Sequence, residues 1–356
     1  MKIRATFGLL GSLITIVIAS GCRGPDLSRL LPDFRAELAH LSQQAQDADQ
    51  IAVPGLDGWL FFGPELRHVS LSRFWGPEAA NVSQARRSED ADPVPAILDF
   101  ARQLREHDVD LLMVPVPPKA IVFPEKISDR LQIPIPVPRL DPALEELYVL
   151  LRANGIDVLD LTDHFITERF HSEGPLYCRT DTHWSGSGCT TAAAAIAVNV
   201  RARSWYDTLD TEPFAASWYS VTIVGDLTPA TSDTPTREEL RLRGVVAGNG
   251  RRRAQVSPDP NSPIVLLGDS HNLVFHVGDD MHATGAGLPD QLAFELGLPV
   301  DLVAVRGSGA TPARVNLLRR AQADANYWER KRLVIWCFAA REFSETDGWR
   351  LVPIAP

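Results

Sequence analysis

The sequence predicts an α/β fold in which a mostly parallel central sheet is covered by helices on both faces. Two observations carry this. From about Ile51 onward, short apolar, β-rich runs alternate with helical segments. Polar residues also cluster just past the ends of those runs, where ligands of open parallel sheets bind. They are Lys119 after "DLLMVPV", Asp163 and His164 after "VLDL", Ser270 after "VLLGD", the glycines of "RGSGAT", and Arg341 with Glu342 after "WCFAA".

In chain order, residues 1–22 have the pattern of an export signal, with Lys2 and Arg4 ahead of an apolar run that ends in small residues before Cys22. "ASGC" is similar to a bacterial lipobox with Cys22 as the lipid acceptor, although Ala19 stands where Leu is commonest. An ordinary signal peptide and an uncleaved anchor are the alternatives, and the apolar run is short for a membrane span. Residues 23–50 are polar and aperiodic enough for a tether with one helix at most, which leaves 51–356 as the folded domain.

The first helix of that domain lies in "DPVPAILDFARQLREH", with Asp92 as cap, Pro93 in the first turn, and Ile97, Ala101 and Leu104 on one face. The strand "DLLMVPV" follows. Next come "DPALEELYVLLRANG", capped by Asp141 and stopped by Gly155, then the strand "IDVLDL" and a helix opening at Ser185 in "SGSGCTTAAAAIAVNV". Residues 200–260, with "TPATSDTPT" inside, are an irregular insertion: an excursion from the sheet and not a second core. Alternation resumes with strand "PIVLLGD", a helix near "LPDQLAFELG", strand "VDLVAV", helix "TPARVNLLRRAQAD" with Thr311 as cap, and strand "LVIWCF".

With 356 residues and 45% apolar content, the chain can bury a large core. A net charge of −10 argues against a nucleic-acid footprint, because no long basic face offsets that field. The densest basic spots, "GRRRA" (250–254) and "ERKRL" (329–333), are expected as solvated surface. Glycine-rich phosphate loops are absent, which disfavours nucleotide chemistry, and no cofactor is expected. Export implies an oxidising compartment in which Cys178 and Cys189 could pair, with two free buried thiols as the alternative. Cys337, inside "LVIWCF", is expected as a buried thiol.

A serine hydroxyl becomes a useful nucleophile only when a base takes its proton and a carboxylate orients that base. Ser270, in "VLLGDSHN", is the candidate nucleophile. Asp181 and His183, in "RTDTHWSGSG", are spaced so that a turn or extended segment can put both side chains on one side. His271 is a weaker base, since neighbouring residues point apart, and His164 and His171 lack a well-spaced carboxylate. "RGSGAT" (306–311) leads flexible backbone N–H groups into a helix N-terminus, suited to an oxyanion, so the N–H groups of Ser270 and Gly309 are the candidate oxyanion hole. A divalent-metal reading would use Asp181 and His183 with Asp163 or His164, but no HExxH-like spacing supports it and none is expected. The G-x-S-x-G elbow of α/β-hydrolases is also absent.

On these residues the chain resembles the alginate O-acetyltransferase family, AlgJ/AlgX-like, with its SGNH hydrolase-like domain. The resemblance rests on "GLDGWLFFGPELRH", "VPVPPKAIVFPEKI", "YCRTDTHWSGSG", "VGDLTP", "VLLGDSHN", "GAGLPDQLAFELGLPVD", "GSGATPAR" and "RLVIWCFAAREF", in that order. The family's D-x-H-W motif falls on Asp181, His183 and Trp184, and its G-[DTN]-S motif on Gly268, Asp269 and Ser270. The resemblance implies a flavodoxin-like three-layer sandwich with a circularly permuted order of motifs, the Asp-His pair preceding the nucleophile. It also implies transfer of acetyl, through an acetyl-enzyme at Ser270, to hydroxyls of an exopolysaccharide in the periplasm. The implied partner is a membrane-bound O-acyltransferase that supplies acetyl. Trp184 is expected either to stack on a sugar or to pack, and Lys119, Arg314 and Arg341 to contact the polymer or anchor the site, with pairing to a carboxylate inside the fold as the alternative for Arg341. No carbohydrate-binding module is expected after "WCFAAREF". Two other readings stay open: a secreted carbohydrate acetylesterase with the same three residues, and a non-catalytic polysaccharide-binding or assembly lipoprotein.

Overall fold

The computed structural model describes residues 27–228, 235–248 and 254–355, so the expected export signal and Cys22 lie outside the described residues. The strands of its two larger sheets are β1 (Asp110–Val116), β2 (Asp157–Val158), β3 (Phe214–Ile223), β4 (Glu238–Ala247), β5 (Ala254–Gln255), β6 (Ile264–Gly268), β7 (Asp301–Ala304) and β8 (Leu333–Ala339). The longer helices are α1 (Leu27–Asp47), α2 (Gly63–Ser70), α3 (Pro93–Arg105), α4 (Pro142–Ala153), α5 (Gly186–Arg201), α6 (Leu288–Leu296) and α7 (Thr311–Gln322).

The central sheet has the order β7-β6-β8-β1-β2, with every pairing parallel. Successive strand side chains point to opposite faces, so each strand feeds two cores. Leu333, Ile335 and Cys337 of β8 meet Leu112 and Val114 of β1 under α1, α5 and α6. Val334, Trp336 and Phe338 face the other way and meet Ile97 of α3, Leu147 of α4 and Leu317 of α7. The result is the expected α/β sandwich of helix, sheet and helix layers.

The helix punctuation follows the sequence in part. The Asp92 carboxylate accepts from Val94 N (3.0 Å) and the Ser185 hydroxyl from Gly188 N (3.3 Å), as caps do. Asp141 does not cap α4, because Arg139 claims its carboxylate at 2.7 Å. Thr311 is the first residue of α7 and not its cap. Its hydroxyl donates to the Gly348 carbonyl (2.7 Å), tying the helix to the C-terminal segment.

Three expectations need correction. Residues 27–47 of the expected tether are a helix, with Phe34, Leu38, Ser42 and Ala45 buried, so the folded domain starts before Ile51. The insertion at 200–260 contains a three-stranded antiparallel sheet, order β3-β4-β5, with its own small cluster of Val245, Val256 and Ala293. Lys331, in the basic run expected at the surface, is fully buried and donates to Asp301 (2.8 Å) and to the carbonyls of Pro260 (2.7 Å) and Ser262 (2.8 Å).

Candidate functional site

Ser270 follows the carboxyl end of β6 in a short 3-10 turn, where the sheet hands the chain outward. The preceding glycine makes this possible. A Cβ on Gly268 would lie 1.7 Å from the Cys337 carbonyl oxygen of the adjacent β8, so only glycine lets the two strands pair this closely at their ends. Asp269 is fully buried. Its carboxylate accepts from His271 N (2.9 Å) and from Ala339 N (2.7 Å), which locks the turn to the end of β8. Although burial opposes its charge, the adjacent His271 and these hydrogen bonds hold Asp269 at about 2.

His183 Nε2 lies 2.7 Å from Ser270 Oγ, and its Nδ1 lies 2.7 Å from Asp181 Oδ1. The imidazole is nearly buried, and burial alone would lower its pKa, but Asp181 reverses this and raises it. Burial pushes Asp181 upward, yet the His183 and His282 side chains hold its carboxyl well below the usual range. A serine, a histidine and an aspartate joined in this way can pass a proton from Oγ to Nε2 while the carboxylate steadies the imidazolium that forms. His271 is occupied elsewhere: its Nδ1 lies 3.2 Å from Asp269, and burial drives its pKa down to about 4.

Two residues that the sequence did not single out complete the site. Asp226, in the turn after β3, donates its N–H to Asp181 Oδ2 (2.9 Å) and accepts from the Thr182 N–H (2.7 Å) and hydroxyl (2.6 Å). His282 donates from Nε2 to Asp181 Oδ2 (2.8 Å). "VGDLTP" held the only sequence signal for Asp226, as one matching segment among several. His282 had none, since its contact spans 101 residues.

Gly309 packs against the nucleophile turn. A Cβ there would come within 2.9 Å of Asp269 N and 2.7 Å of Phe338 Cβ, so the glycine lets its backbone pack against Asp269, the residue before Ser270. Trp336 Nε1 donates to its carbonyl (2.9 Å) and fixes the peptide.

The four residues expected either to contact a polymer or to pack and anchor the site are buried. Lys119 is 2% exposed, and its ammonium donates to the carbonyls of Leu60 (2.6 Å), Arg179 (3.0 Å) and Asp181 (3.1 Å); burial lowers it to about 8. It clamps the loop that carries Asp181. Trp184 is fully buried and donates to the His271 carbonyl (3.1 Å), so no sugar reaches its face. Arg314 is enclosed by Phe100, Trp336 and Trp349, and burial lowers it to about 10. The Arg341 guanidinium lies over Phe62 and 3.9 Å from Glu65, inside the fold. Lys119 and Trp184 therefore support the site from behind.

Asp163 and His164 are exposed on the helix Thr162–Glu168, and His171 accepts from Glu173 N (3.2 Å). None of these three bonds to Asp181, His183 or Ser270. Asp181, His183 and Asp226 bring possible ligand atoms within 4.8 Å of one another, but hydrogen bonds within the protein already occupy them. Cys178 and Cys189 are free buried thiols and not a disulfide, and Cys337 is a buried thiol. A cavity of about 680 Å³ beside His107 and Trp328 opens near the amino ends of β1 and β8, the wrong edge for a ligand of such a sheet.

The layered parallel sheet and the serine turn at its carboxyl edge define an SGNH hydrolase-like α/β protein. The chain belongs to the family described as SGNH hydrolase-like domain, acetyltransferase AlgX, which it matches over residues 52–340. It is 29% identical over 149 residues to a probable alginate O-acetylase AlgJ of Pseudomonas aeruginosa, covering 42% of this chain and 33% of that one. It is 24% identical over 298 residues to the AlgJ counterpart of Pseudomonas putida, covering 81% and 69%. The matched part thus spans about a third of the first relative's length. Among solved structures, the O-acetyltransferase domain of P. putida AlgJ superposes with a TM-score of 0.59 at 22% identity, covering 83% of this chain and 93% of that one. P. aeruginosa AlgX gives 0.57 at 15% identity, covering 84% and 65%. At these identities the likeness to solved structures speaks for the fold.

Proposed function

We propose that this protein is an O-acetyltransferase that carries acetyl on Ser270 and delivers it to hydroxyls of an exopolysaccharide. The observation that carries the reading is the unbroken hydrogen-bond chain from Ser270 through His183 to Asp181 at the carboxyl edge of the sheet. Membership of an acetyltransferase family supports the choice of group transferred.

Ser270 Oγ attacks the acetyl carbonyl of the donor as its proton moves to His183 Nε2. The donor's C–O bond then breaks, and the leaving oxygen takes that proton. An acetyl ester on Ser270 remains. In the second half a sugar hydroxyl gives its proton to His183, its oxygen attacks the ester, and Ser270 regains the proton. The N–H groups of Ser270 and Gly309 stabilise the oxyanion in both halves. Asp181 holds the imidazole in the tautomer that presents Nε2 as acceptor to Ser270.

The acceptor class follows from the relatives, two of which are named for alginate acetylation. A net charge of −10 gives no long-range attraction for a polyanion, so the acceptor is assigned as an exopolysaccharide without choosing a uronate. The export signal at 1–22 and Cys22 support a periplasmic, membrane-attached protein, which fits an acetyl donor delivered by a membrane-bound O-acyltransferase. No described helix is long and apolar enough to cross a membrane.

The test is to charge the protein with an activated acetyl ester and add sugar oligomers. Acetyl appearing on sugar in a Ser270-dependent way supports the transferase. Ser270-dependent release to water alone would make the protein an esterase, and absence of any acetyl-enzyme would leave only a binding role.

A further inference from the structure

We infer that His282 is a positioning residue for the Asp181–His183 pair, presented to it by a strained loop. The inference rests on the proposed role of Ser270 as nucleophile.

Four donors converge on the Asp181 carboxylate. His183 supplies its backbone N–H (3.0 Å) and Nδ1 (2.7 Å) to Oδ1, while the Asp226 N–H (2.9 Å) and His282 Nε2 (2.8 Å) serve Oδ2. Among the described residues His282 is the one side chain on Oδ2, so together with the Asp226 N–H it helps set the plane of the carboxylate and, through it, the plane of the imidazole.

The loop bearing His282 has an uncommon backbone. Phe275 (φ 59°), Asp279 (φ 51°) and His282 (φ 71°) are all left-handed, with Gly278 and Gly285 also at positive φ. Non-glycine residues stay in that region only where their surroundings over-determine them. Here the loop is closed on itself by Phe275 N to Met281 O (2.8 Å) and Ala286 N to Phe275 O (2.9 Å). Asp280 also receives Arg306 in a two-pronged pair (2.9 and 2.7 Å), and Arg306 opens the turn that carries Gly309. One loop therefore touches the aspartate end of the site and the oxyanion turn. The Arg306–Asp280 pair is exposed and contributes little, which leaves His282 as the contact that matters.

A donor on Oδ2 spreads the carboxylate's charge and moderates its pull on the His183 proton. Without that donor His183 becomes more basic and is neutral, hence able to accept the serine proton, only at higher pH. Asp181, Asp226 (3.8 Å), Asp269 and the His271 ring (4.9 Å) face His183, and Asp181, Asp280 and the Phe275 ring (6.0 Å) face His282. Removing the His282 donor leaves Asp226, Asp269 and His271 in place around His183, so its effect on His183 is read through Asp181.

The experiment compares His282→Gln, whose amide nitrogen replaces Nε2, with His282→Leu, which has no donor. Both keep a side chain at the left-handed position and share its backbone cost. Acetyl-enzyme formation from an activated acetyl ester is followed against pH, with Ser270→Ala in parallel. The leucine variant is expected to be about tenfold slower at neutral pH, the loss of one hydrogen bond to a charged group, with its acid limb moved to higher pH. The glutamine variant should recover most of the rate and the wild-type limb. Equal loss in both variants, or wild-type behaviour in both, would overturn the inference while Ser270 dependence left the functional reading intact. Acetylation that survives Ser270→Ala would overturn both.

Discussion

At the scale of single residues, the site depends on atoms that have no room to move. A methyl group at Gly268 meets the Cys337 carbonyl, so Gly268→Ala is expected to lower stability by roughly 1–3 kcal/mol and to slow acetyl-enzyme formation by displacing Ser270. Urea unfolding and the rate of acetylation check the two effects separately. Asp181→Asn keeps the shape but lets the imidazole take the wrong tautomer, and turnover should fall about 10⁴-fold with Ser270 still present. Near-normal turnover would remove Asp181 from the mechanism. Ser270, His183 and Asp181 were legible because their spacing and residue types belong to known chemistry. For Lys119 and Arg314 the sequence left polymer contact and anchoring of the site both open, since a charged residue past a strand or in the first turn of a helix does not show whether it is buried. The structure uses the Lys119 charge to hold three carbonyls and the Arg314 charge to fill an aromatic cage.

At the scale of elements, the insertion is part of the site's support. Glu238, on β4 and 2% exposed, accepts from Arg179 N (2.8 Å) and Thr180 N (3.0 Å), and Asp226, after β3, binds Thr182. The antiparallel hairpin thereby fixes both flanks of Asp181. Glu238→Ala is expected to slow acetyl-enzyme formation about tenfold, because it frees the loop that aims His183. Leu38→Ala, buried on α1 far along the chain from these residues, should cost about 2–5 kcal/mol in stability and leave the rate per folded molecule unchanged. A rate loss in the second variant would show that α1 reaches the chemistry. The parallel sheet was legible because its strands are contiguous apolar runs separated by capped helices. The role of α1 was not, because its buried stripe of Phe34, Leu38, Ser42 and Ala45 contains only two large apolar residues. The support from Asp226, Glu238 and His282 was hidden for another reason: those contacts cross 44 to 101 residues and leave no local pattern.

At the scale of the whole molecule, buried histidines and buried carboxyls pull the response to acid in opposite directions. Burial holds His68 down at about 3 and His271 at about 4, below the ordinary 6.5, so the unfolded chain binds more protons than the folded one between those values. Their contribution to stability is present above about pH 6.5 and is lost as pH falls, by about 2 kcal/mol each between pH 7 and 5. His183 works in the opposite sense, since its raised pKa adds stability as it protonates. Asp141 and Glu342, each pushed up to about 7 by burial, work in that sense too, so the histidine contribution is read by comparison: the wild type should lose more stability between pH 7 and pH 5 than a His68→Gln variant, and an equal loss would contradict the burial of His68 as a neutral ring. Activity should fall with acid as well, because His183 must be neutral to accept the serine proton, and the Asp181 carboxylate beside it, which raises its pKa, moves that limb toward higher pH.

The central claim is that Ser270 carries the acetyl group. Intact-mass analysis of the wild-type protein and Ser270→Ala, after exposure to an activated acetyl ester and followed by peptide mapping, tests it most directly. The account predicts one acetyl group per wild-type chain, mapped to the peptide containing Ser270, and none on a folded Ser270→Ala variant. Equal acetylation of both proteins, or an adduct mapped to another residue, would contradict it.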